Sequence, residues 1–547
     1  MQPLYVWFAF NYDVNMILGD LPLKADEEPG SIEELRGTNE TRWRGYFIKY
    51  FPGKFLQIAR GKKVHTSYDT FSFYQSSFEK ALERFNVPCP PIITEGKVSR
   101  KDFSKWSLKK IAEYNDAELV ALEQLSEELR NCIQPLCIPI QSWHGPGAIA
   151  QGWLRKNKAG GFITDPPEHM SEGVNCAYFG GRIDAAGYGF VDPVSHYDLV
   201  SAYPSGARFL PDLSSIRWIR SNHKPDSGEI YLAKVRWQID EGARWGCFPW
   251  RSKNGTIRYP LSGSGFYWYP EIEAAIRDYP WGFKSLEIEE VWIADGVIRY
   301  PFHSLIEEAF AYRNELKKNG DLSHLAVKLM LNSIYGKFAQ TVGKPRFHCL
   351  TWAGLITSYT RGELLKVVDE NTVCVMTDSV WSSKPLAVPT GKGLGEWESQ
   401  DETELVLAEA GLYSALDPDG NETLWQRGFN RETPLDIRGI VQGWLDGDVT
   451  EQTYQVTRFI GMGLASMTSY PWREWVTMPR SVKPVSLHGT TKRYPHFPHD
   501  PDCQCGDARF IPLALYPADE DAPSYPYLKE VVDLSLMVLN LETSESQ

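Results

Sequence analysis

Two acids close apolar runs in this chain, and a set of cations repeats at helical spacing between them. Asp198 sits in Tyr197-Asp198-Leu199-Val200-Ser201-Ala202-Tyr203-Pro204-Ser205. The run predicts a strand ending in a turn that Pro204 forces, which sets the carboxylate at a sheet rim. It leaves the backbone N–H groups of Ser201, Ala202 and Tyr203 free to meet an anion. Asp378 closes a second apolar run, Val373-Cys374-Val375-Met376-Thr377. Either acid alone is ordinary turn chemistry. Between them, Lys328, Asn332 and Tyr335 stand at i, i+4 and i+7, and Arg313 and Lys317 at i, i+4. An antiparallel helix pair would gather these three cations over one groove, a receptor for a triphosphate. In isolation the same spacing describes the solvated face of an amphipathic pair. Phosphoryl transfer gives a reason to combine the segments. Two metal ions about 4 Å apart, held by carboxylates on rigid elements, can drive an in-line displacement while cations neutralise the leaving pyrophosphate.

The elements that must position these groups follow from periodicity and breakers. Phe302, Leu305, Ile306, Ala309 and Phe310 predict a helix running to Lys318. Asn319-Gly320 supplies a left-handed turn, and a second helix covers roughly 322–338. So short a turn makes the two helices antiparallel. Strand-like runs at 4–10, 46–50 and 54–59 lead into a helix over 108–129, as in an α/β unit. From 131 to about 175, Pro135, Pro139, Gly145-Pro146-Gly147 and Pro166-Pro167 punctuate a stretch that reads as a connector wrapped on a surface. Residues 177–300 alternate apolar and polar residues between turns, as in an antiparallel sheet. A further strand is expected at 372–376.

The segments in this order resemble motifs A, B and C of family B DNA polymerases. DLVSAYPS is similar to DxxSLYPS, KLMLNSIYG to KxxxNSxYG, and MTDS to the end of YxDTDS. Upstream, Tyr178-Phe179-Gly180-Gly181 resembles the YxGG segment that links exonuclease and polymerase regions. The resemblance implies a multidomain α/β and α+β chain, an RNase H-like exonuclease-type domain followed by a right-hand polymerase. Its parts would be an exonuclease-like domain at 1–130, a connector at 131–176, palm at 177–301 and 338–429, fingers at 302–337, and a thumb and C-terminal region at 430–547. The implied function is addition of deoxynucleotides to a primer 3′-hydroxyl in phage- or plasmid-type replication. Asp198 and Asp378, with the Leu199 carbonyl, would hold two Mg²⁺ ions, Mn²⁺ being an alternative. Ser201, Ala202 and Tyr203 would meet the nucleotide, with Tyr203 under its sugar excluding a 2′-hydroxyl. Arg313, Lys317 and Lys328 would hold the triphosphate, and Asn332 and Tyr335 would line the nascent pair. Tyr178, Gly180 and Gly181 would lie along the DNA. Where the family's motif C has its first acid, this chain has Met376, and Cys374 replaces the tyrosine. A non-catalytic, DNA-binding scaffold is the competing reading of that departure.

The primer-binding KxY segment has two matches. Tyr413 fits by position but lacks the lysine, and Lys492-Arg493-Tyr494 fits by spelling, with Lys492 a DNA contact in the thumb. Asn11-Tyr12-Asp13 resembles the second exonuclease motif, and Tyr114 with Glu118 the third. No DxE segment precedes Asp13. A two-metal nuclease short of carboxylates loses ligands for each ion, so this region is read as a structural module that has lost its chemistry. A stand-alone 3′–5′ exonuclease is a third alternative. Template-primer DNA and dNTPs are the implied partners, joined in many phage and plasmid relatives by a priming terminal protein; the priming mode stays open.

Composition sets bounds on these readings. The chain has 547 residues, 42% hydrophobic and 23% charged, enough for three or four units of ~150 residues. Lys and Arg number 57 against 70 Asp and Glu, a net charge of −13. That excludes a simple basic DNA-coating protein but not a basic cleft in an acidic shell. The stretch from Arg42 to His65 carries seven Lys and Arg and no acid. It suits a phosphate backbone or an edge strand protected by charge. Nine cysteines without a CxxC pair are expected to be free thiols, Cys503 and Cys505 included. No run reaches the ~18 apolar residues of a membrane span, and the N-terminus does not read as a signal peptide. The expected setting is therefore intracellular.

Overall fold

The computed structural model describes residues 4–24, 30–99, 103–221, 225–226, 228–341, 345–427, 429, 434–446, 452–465, 467–482, 493–495, 509–516 and 524–527. The N-terminal unit is a five-stranded sheet. Tyr5–Trp7 runs parallel to Lys63–Asp69, which continues through antiparallel Phe55–Arg60, Tyr46–Phe51 and Glu40–Trp43. The first strand is shorter than the apolar run suggests. Buried Asp69 accepts the N–H groups of Ala9 (3.2 Å) and Phe10 (3.0 Å), and the chain turns at Ala9 (φ 55°) into the helix Asn11–Ile17. The expected long helix is present as Leu108–Ile133.

The stretch read as a surface connector is instead two packed helices, Pro146–Lys156 and Glu168–Cys176. Ile149, Ala150, Leu154 and Met170 are fully buried. Its prolines are helix starters: Pro146 opens the first helix and Pro167 caps the second, the position where a missing N–H costs nothing. One apolar core joins this region to its neighbours. It runs from Phe78 and Leu125 of the N-terminal unit through Ile149 and Trp153 to Ile334 and Phe338.

The alternating stretch 177–300 is shared among four sheets, one of them only the short pair Trp250–Arg251 and Ile257–Arg258. Ile216–Ser221, Tyr231–Ile239, Ser262–Trp268 and Phe283–Gly296 form a four-stranded antiparallel sheet. Arg182–Ala185 and Ser195–Leu199 join a five-stranded sheet with Thr372–Thr377, Ser379–Ser382 and Trp397–Gln400. Gly187–Val191 joins a third, with 404–426 on one side and Phe510–Leu515 on the other. A period of two specifies a face and not a partner.

Part of the region read as thumb therefore returns to the palm. Arg493, fully buried, grips Asp184 through bonds of 2.8 and 2.9 Å. The hairpin of Gln452–Phe459 and Trp475–Val482 leads instead to the N-terminal unit. There buried Asn15 accepts from Met462 N–H (2.8 Å) and Trp472 Nε1 (2.9 Å). Lys492, Cys503, Cys505 and the C-terminal residues 528–547 lie outside the described residues. Among the described residues no helix is long and apolar enough to cross a membrane.

The helical pair is found as His303–Lys318 and Ser323–Phe338, with Gly320 at φ 70° in the turn. Ala326, Val327, Met330, Leu331 and Ile334 face the core, and Lys328 and Asn332 face out. Behind it, Leu350–Leu365 carries Arg361, which is buried and makes two 2.8 Å bonds to the equally buried Glu271. The same guanidinium donates to the carbonyls of Phe179 (2.9 Å) and Gly180 (2.8 Å), fixing the start of the catalytic sheet. Removing one partner of a buried pair strands the other charge, so Arg361→Ala should cost about 3–5 kcal/mol, whereas Glu271→Leu with Arg361→Met should cost less. Urea midpoints at unchanged slope measure both; equal losses would contradict the pairing.

Candidate active site

Asp198 and Asp378 converge on one rim of the five-stranded sheet. Ser195–Leu199 pairs antiparallel with Ser379–Ser382, placing Ser379 opposite Asp198. The Leu199 N–H donates to the Asp378 carbonyl at 2.8 Å, which clamps the second acid beside the first. Thr377, at φ 65°, closes a tight turn in which Asp378 N–H reaches back to Met376 O at 2.8 Å. This strained backbone swings Asp378 out of the strand to the rim. No Lys or Arg pairs with either carboxylate among the described residues. Burial, then the charges of Asp378 and Glu398, raise Asp198 to about 7. Burial likewise raises Asp378.

Glu398, which the sequence reading missed, lies in register opposite Asp198 on its other side. Met376 pairs with Ser379, Ser379 with Asp198 and Asp198 with Glu398, so one cross-strand row carries them all. The acid expected at Met376 is absent, and a different one stands on the opposite flank of Asp198. Only pairing register could have revealed it.

The turn after Leu199 is made at Ser201 and not forced by Pro204, which lies inside the helix that follows. Ser201 takes a left-handed conformation (φ 51°), and the helix Ala202–Ala207 begins at once, leaving its first N–H groups without intrahelical partners. Tyr203 packs against Tyr335 with ring centroids 4.8 Å apart, and the Tyr335 hydroxyl bonds that of Tyr178 at 2.7 Å. Tyr178 is buried and braces this pair from behind rather than facing DNA. A Cβ on Gly181 would come 2.8 Å from Thr377 Cγ2 and 2.9 Å from the Tyr203 hydroxyl, so only glycine fits there. Gly180 has open space around it.

The cations gather as the spacing required. Arg313 lies 3.5 Å from Ser201 Oγ, and Lys317, Lys328 and Asn332 are exposed on the cleft side. Partial burial, then Arg313, Arg84 and Lys317, lower the Lys328 pKa. Two members were not foreseen. Arg84 comes from the N-terminal unit. His324, one turn before Lys328, has a buried Nδ1 without a hydrogen-bond partner among the described residues and is lowered by burial, then by Arg313, Lys317 and Lys328. The i−4 spacing to Lys328 was a usable signal for His324.

Other expected residues fall elsewhere. Tyr413 is buried on the neighbouring sheet, stacked 4.6 Å from Trp425 and edge-on to Trp381 at 5.6 Å, a core position rather than a primer contact. Lys492 lies outside the described residues. In the N-terminal unit Asp13 and Glu118 do come together: burial, then its own backbone and the charge of Glu118, leave Asp13 at about 6. Glu118 is tied to Lys97, and Tyr114 is buried beside Gly96 and Trp106. Asp69, whose charge also acts on Asp13, is spent on three backbone N–H groups.

A rim with two desolvated, cation-free carboxylates suits divalent ions. Among the described residues no group of three His, Cys, Asp or Glu could hold a metal by itself. Two carboxylates with substrate phosphates completing the shell is the usual Mg²⁺ arrangement. Such a rim facing a cationic helical hairpin defines the palm and fingers of a nucleotidyltransferase.

Comparison with known proteins agrees. The fold is similar to phi29 DNA polymerase in its ternary complex with primer-template DNA and incoming nucleotides (TM-score 0.59, 14% identity, 87% of this chain and 89% of that one). Among sequences, a DNA polymerase of Acidianus bottle-shaped virus is 22% identical over 469 residues, covering 78% of this chain and 68% of that protein. A DNA-directed DNA polymerase of Enterobacteria phage PRD1 is 26% identical over 336 residues, covering 58% of this chain and 54% of that protein. The family model for DNA polymerase type B, organellar and viral, matches residues 91–384, more than half the chain, and the protein belongs to that family.

The raised acid yields a test. Between pH 3.8 and about 7 the folded, metal-free protein keeps a proton on Asp198 that the unfolded chain has released. Stability should therefore fall as pH rises through that window. Melting curves should show this slope, flatter in Asp198→Asn and offset above neutrality by added divalent cation. A slope unchanged in Asp198→Asn would contradict the assignment.

Proposed function

We propose that Asp198 and Asp378 are the metal-binding pair with which this polymerase joins a deoxynucleotide to a primer 3′-hydroxyl on a DNA template. The observation that carries it is the strand register that sets both acids on one rim, unpaired by any cation and facing Arg313, Lys317 and Lys328. Two Mg²⁺ ions, with Mn²⁺ able to serve instead, would supply charge stabilisation at the attacking and leaving oxygens. Asp198, Asp378 and the Leu199 carbonyl would hold them. The free N–H groups at Ser201, Ala202 and Tyr203 orient the phosphates from the palm side, while Arg313, Lys317, Lys328 and His324 draw the pyrophosphate toward the fingers. Tyr203, braced by Tyr335 and Tyr178, presents a fixed ring to the sugar. Asn332 lines the nascent pair. The palm therefore spans 177–301 and 338–429 with the C-terminal strand added, and the fingers are 302–337. Template-primer DNA and dNTPs are its partners in this reading, with replication inside a host cell as its setting.

The N-terminal unit is read as a support without nuclease chemistry, because among the described residues Asp13 and Glu118 have no third free acid beside them. Purified protein should extend a primed template, and Asp198→Ala or Asp378→Ala should abolish extension while leaving the melting transition cooperative. Normal extension by either variant would refute that acid's role. Tyr203→Ala should raise ribonucleotide incorporation relative to deoxynucleotide, measured as a ratio of kcat/KM. Digestion of single-stranded DNA should be unaffected by Asp13→Ala; a loss on that substitution would restore the nuclease reading.

A further inference from the structure

Four residues far along the chain, Ser524-Tyr525-Pro526-Tyr527, form a strap behind the nucleotide end of the site. Pro526 confines its neighbour Tyr525 to extended backbone, which suits a segment laid along a sheet edge. The Ser524 N–H donates to the Ser264 carbonyl (2.8 Å) on the edge strand Ser262–Trp268. Tyr525 N–H donates to Arg251 O (3.0 Å), and Arg251 N–H donates to Ser524 Oγ (3.1 Å). Tyr527 N–H donates to Asn175 O (3.1 Å), in the helix that leads directly to Tyr178. The Tyr527 ring then meets the Tyr178 ring edge to face, with centroids 4.9 Å apart at 83°.

Arg251 joins this strap to the start of the catalytic sheet. Its side chain is buried, with Nη1 donating to the Tyr525 carbonyl (3.0 Å) and Nη2 to the Tyr178 carbonyl. The guanidinium lies 4.5 Å from the Phe179 ring centroid and 5.7 Å from that of Tyr527. Unlike Arg361, which has Glu271, Arg251 has no carboxylate partner among the described residues. Burial brings it down to about 10, so it stays charged at neutral pH. A buried cation held only by carbonyl dipoles depends on each of them, because a lost bond leaves a desolvated donor unsatisfied. Arg361 grips the carbonyls of Phe179 and Gly180, and Arg251 grips that of Tyr178. Two guanidiniums therefore fix three successive carbonyls, and the strap supports one of the two.

Tyr178 is the point where strap and site meet. Its ring and carbonyl are held from behind by Tyr527 and Arg251, and its hydroxyl bonds that of Tyr335 at 2.7 Å on the other side. Tyr335 packs in turn on Tyr203, with centroids 4.8 Å apart. A displacement of Tyr178 is passed on by a hydrogen bond and a ring contact, both of which are sensitive to tenths of an ångström. We infer that Tyr527 and Arg251 are positioning residues for nucleotide selection: the strap sets Tyr178, and through it Tyr335 and Tyr203, where the incoming sugar meets them. The inference rests on the reading of Tyr203 as the ring beneath that sugar. It also gives the segment 524–527 a task separate from that of the strand Phe510–Leu515, which completes a neighbouring sheet.

Single-nucleotide extension by the purified full chain tests it, with KM and kcat read separately for a dNTP and the matching rNTP. Tyr527→Ala should raise the dNTP KM, and lower the deoxy-to-ribo ratio of kcat/KM, by about two- to tenfold, the range an edge-to-face ring pair supplies, with kcat little changed. Tyr527→Phe keeps the ring and should match wild type. Tyr527→Leu fills the space without a ring edge and should repeat the alanine result with a near-normal melting temperature. In Tyr178→Phe, which lacks the hydroxyl bond to Tyr335, Tyr527→Ala should add little. A lowered melting temperature with wild-type KM and sugar ratio would make the strap a structural feature alone and overturn the inference. So would an effect of Tyr527→Ala that persists undiminished in Tyr178→Phe. Tyr203→Ala reports separately on the sugar gate: if that variant keeps the wild-type ratio, the gate reading fails, and the dNTP KM of Tyr527→Ala decides for or against the strap.

Discussion

The active site depends on two like charges being forced together by backbone pairing. Carboxylates on adjacent strands repel, and partial burial deepens that cost because water no longer screens them. What holds them is the register of Ser195–Leu199 against Ser379–Ser382, sealed by the Leu199 N–H to Asp378 O bond. The apolar residues under the rim, Val375, Val380 and Leu199, are completely buried. Folding thus concentrates negative charge at one point of the surface, which is why a divalent ion is proposed to sit there.

The surroundings repeat that logic with opposite sign. A chain with net charge −13 collects Arg313, Lys317, Lys328, His324 and Arg84 opposite the acids. Among the described residues none of Arg313, Lys317 and Lys328 has a carboxylate partner, which suits them to the substrate phosphates proposed for this cleft. The apolar core continuous from the N-terminal unit into Ser323–Phe338 anchors the base of the fingers. Asn15 draws the C-terminal hairpin onto that same N-terminal unit. An N-terminal region without a nuclease centre would still have a structural task here.

Local features were legible in the sequence and long-range ones were not. The helical pair was readable to within a residue because its apolar spacing, Asn319-Gly320 turn and cationic face all point to one arrangement. Asp198 and Asp378 could be singled out because each closes an apolar run. Glu398 was invisible, since its importance comes only from lying opposite Asp198 in another strand. Tyr178 was expected at the DNA, yet its hydroxyl is taken by Tyr335, a partner 157 positions away. The segment around Pro146 and Pro167 was misread because proline marks both loops and helix starts, and only burial of Ile149 and Met170 separates the two. Strands are present across 177–300, but alternation does not assign them to four sheets, and Gly187–Val191 is buried throughout.

The central claim is that two distant chain segments meet at one ion-binding point. Fe²⁺ substituted for Mg²⁺ in the complex with primed template and dNTP generates hydroxyl radicals that cut the nearest backbone. The account predicts two cleavage sites, one around residue 198 and one around residue 378, both suppressed by excess Mg²⁺. Cleavage at only one of these segments, or at neither, would contradict it.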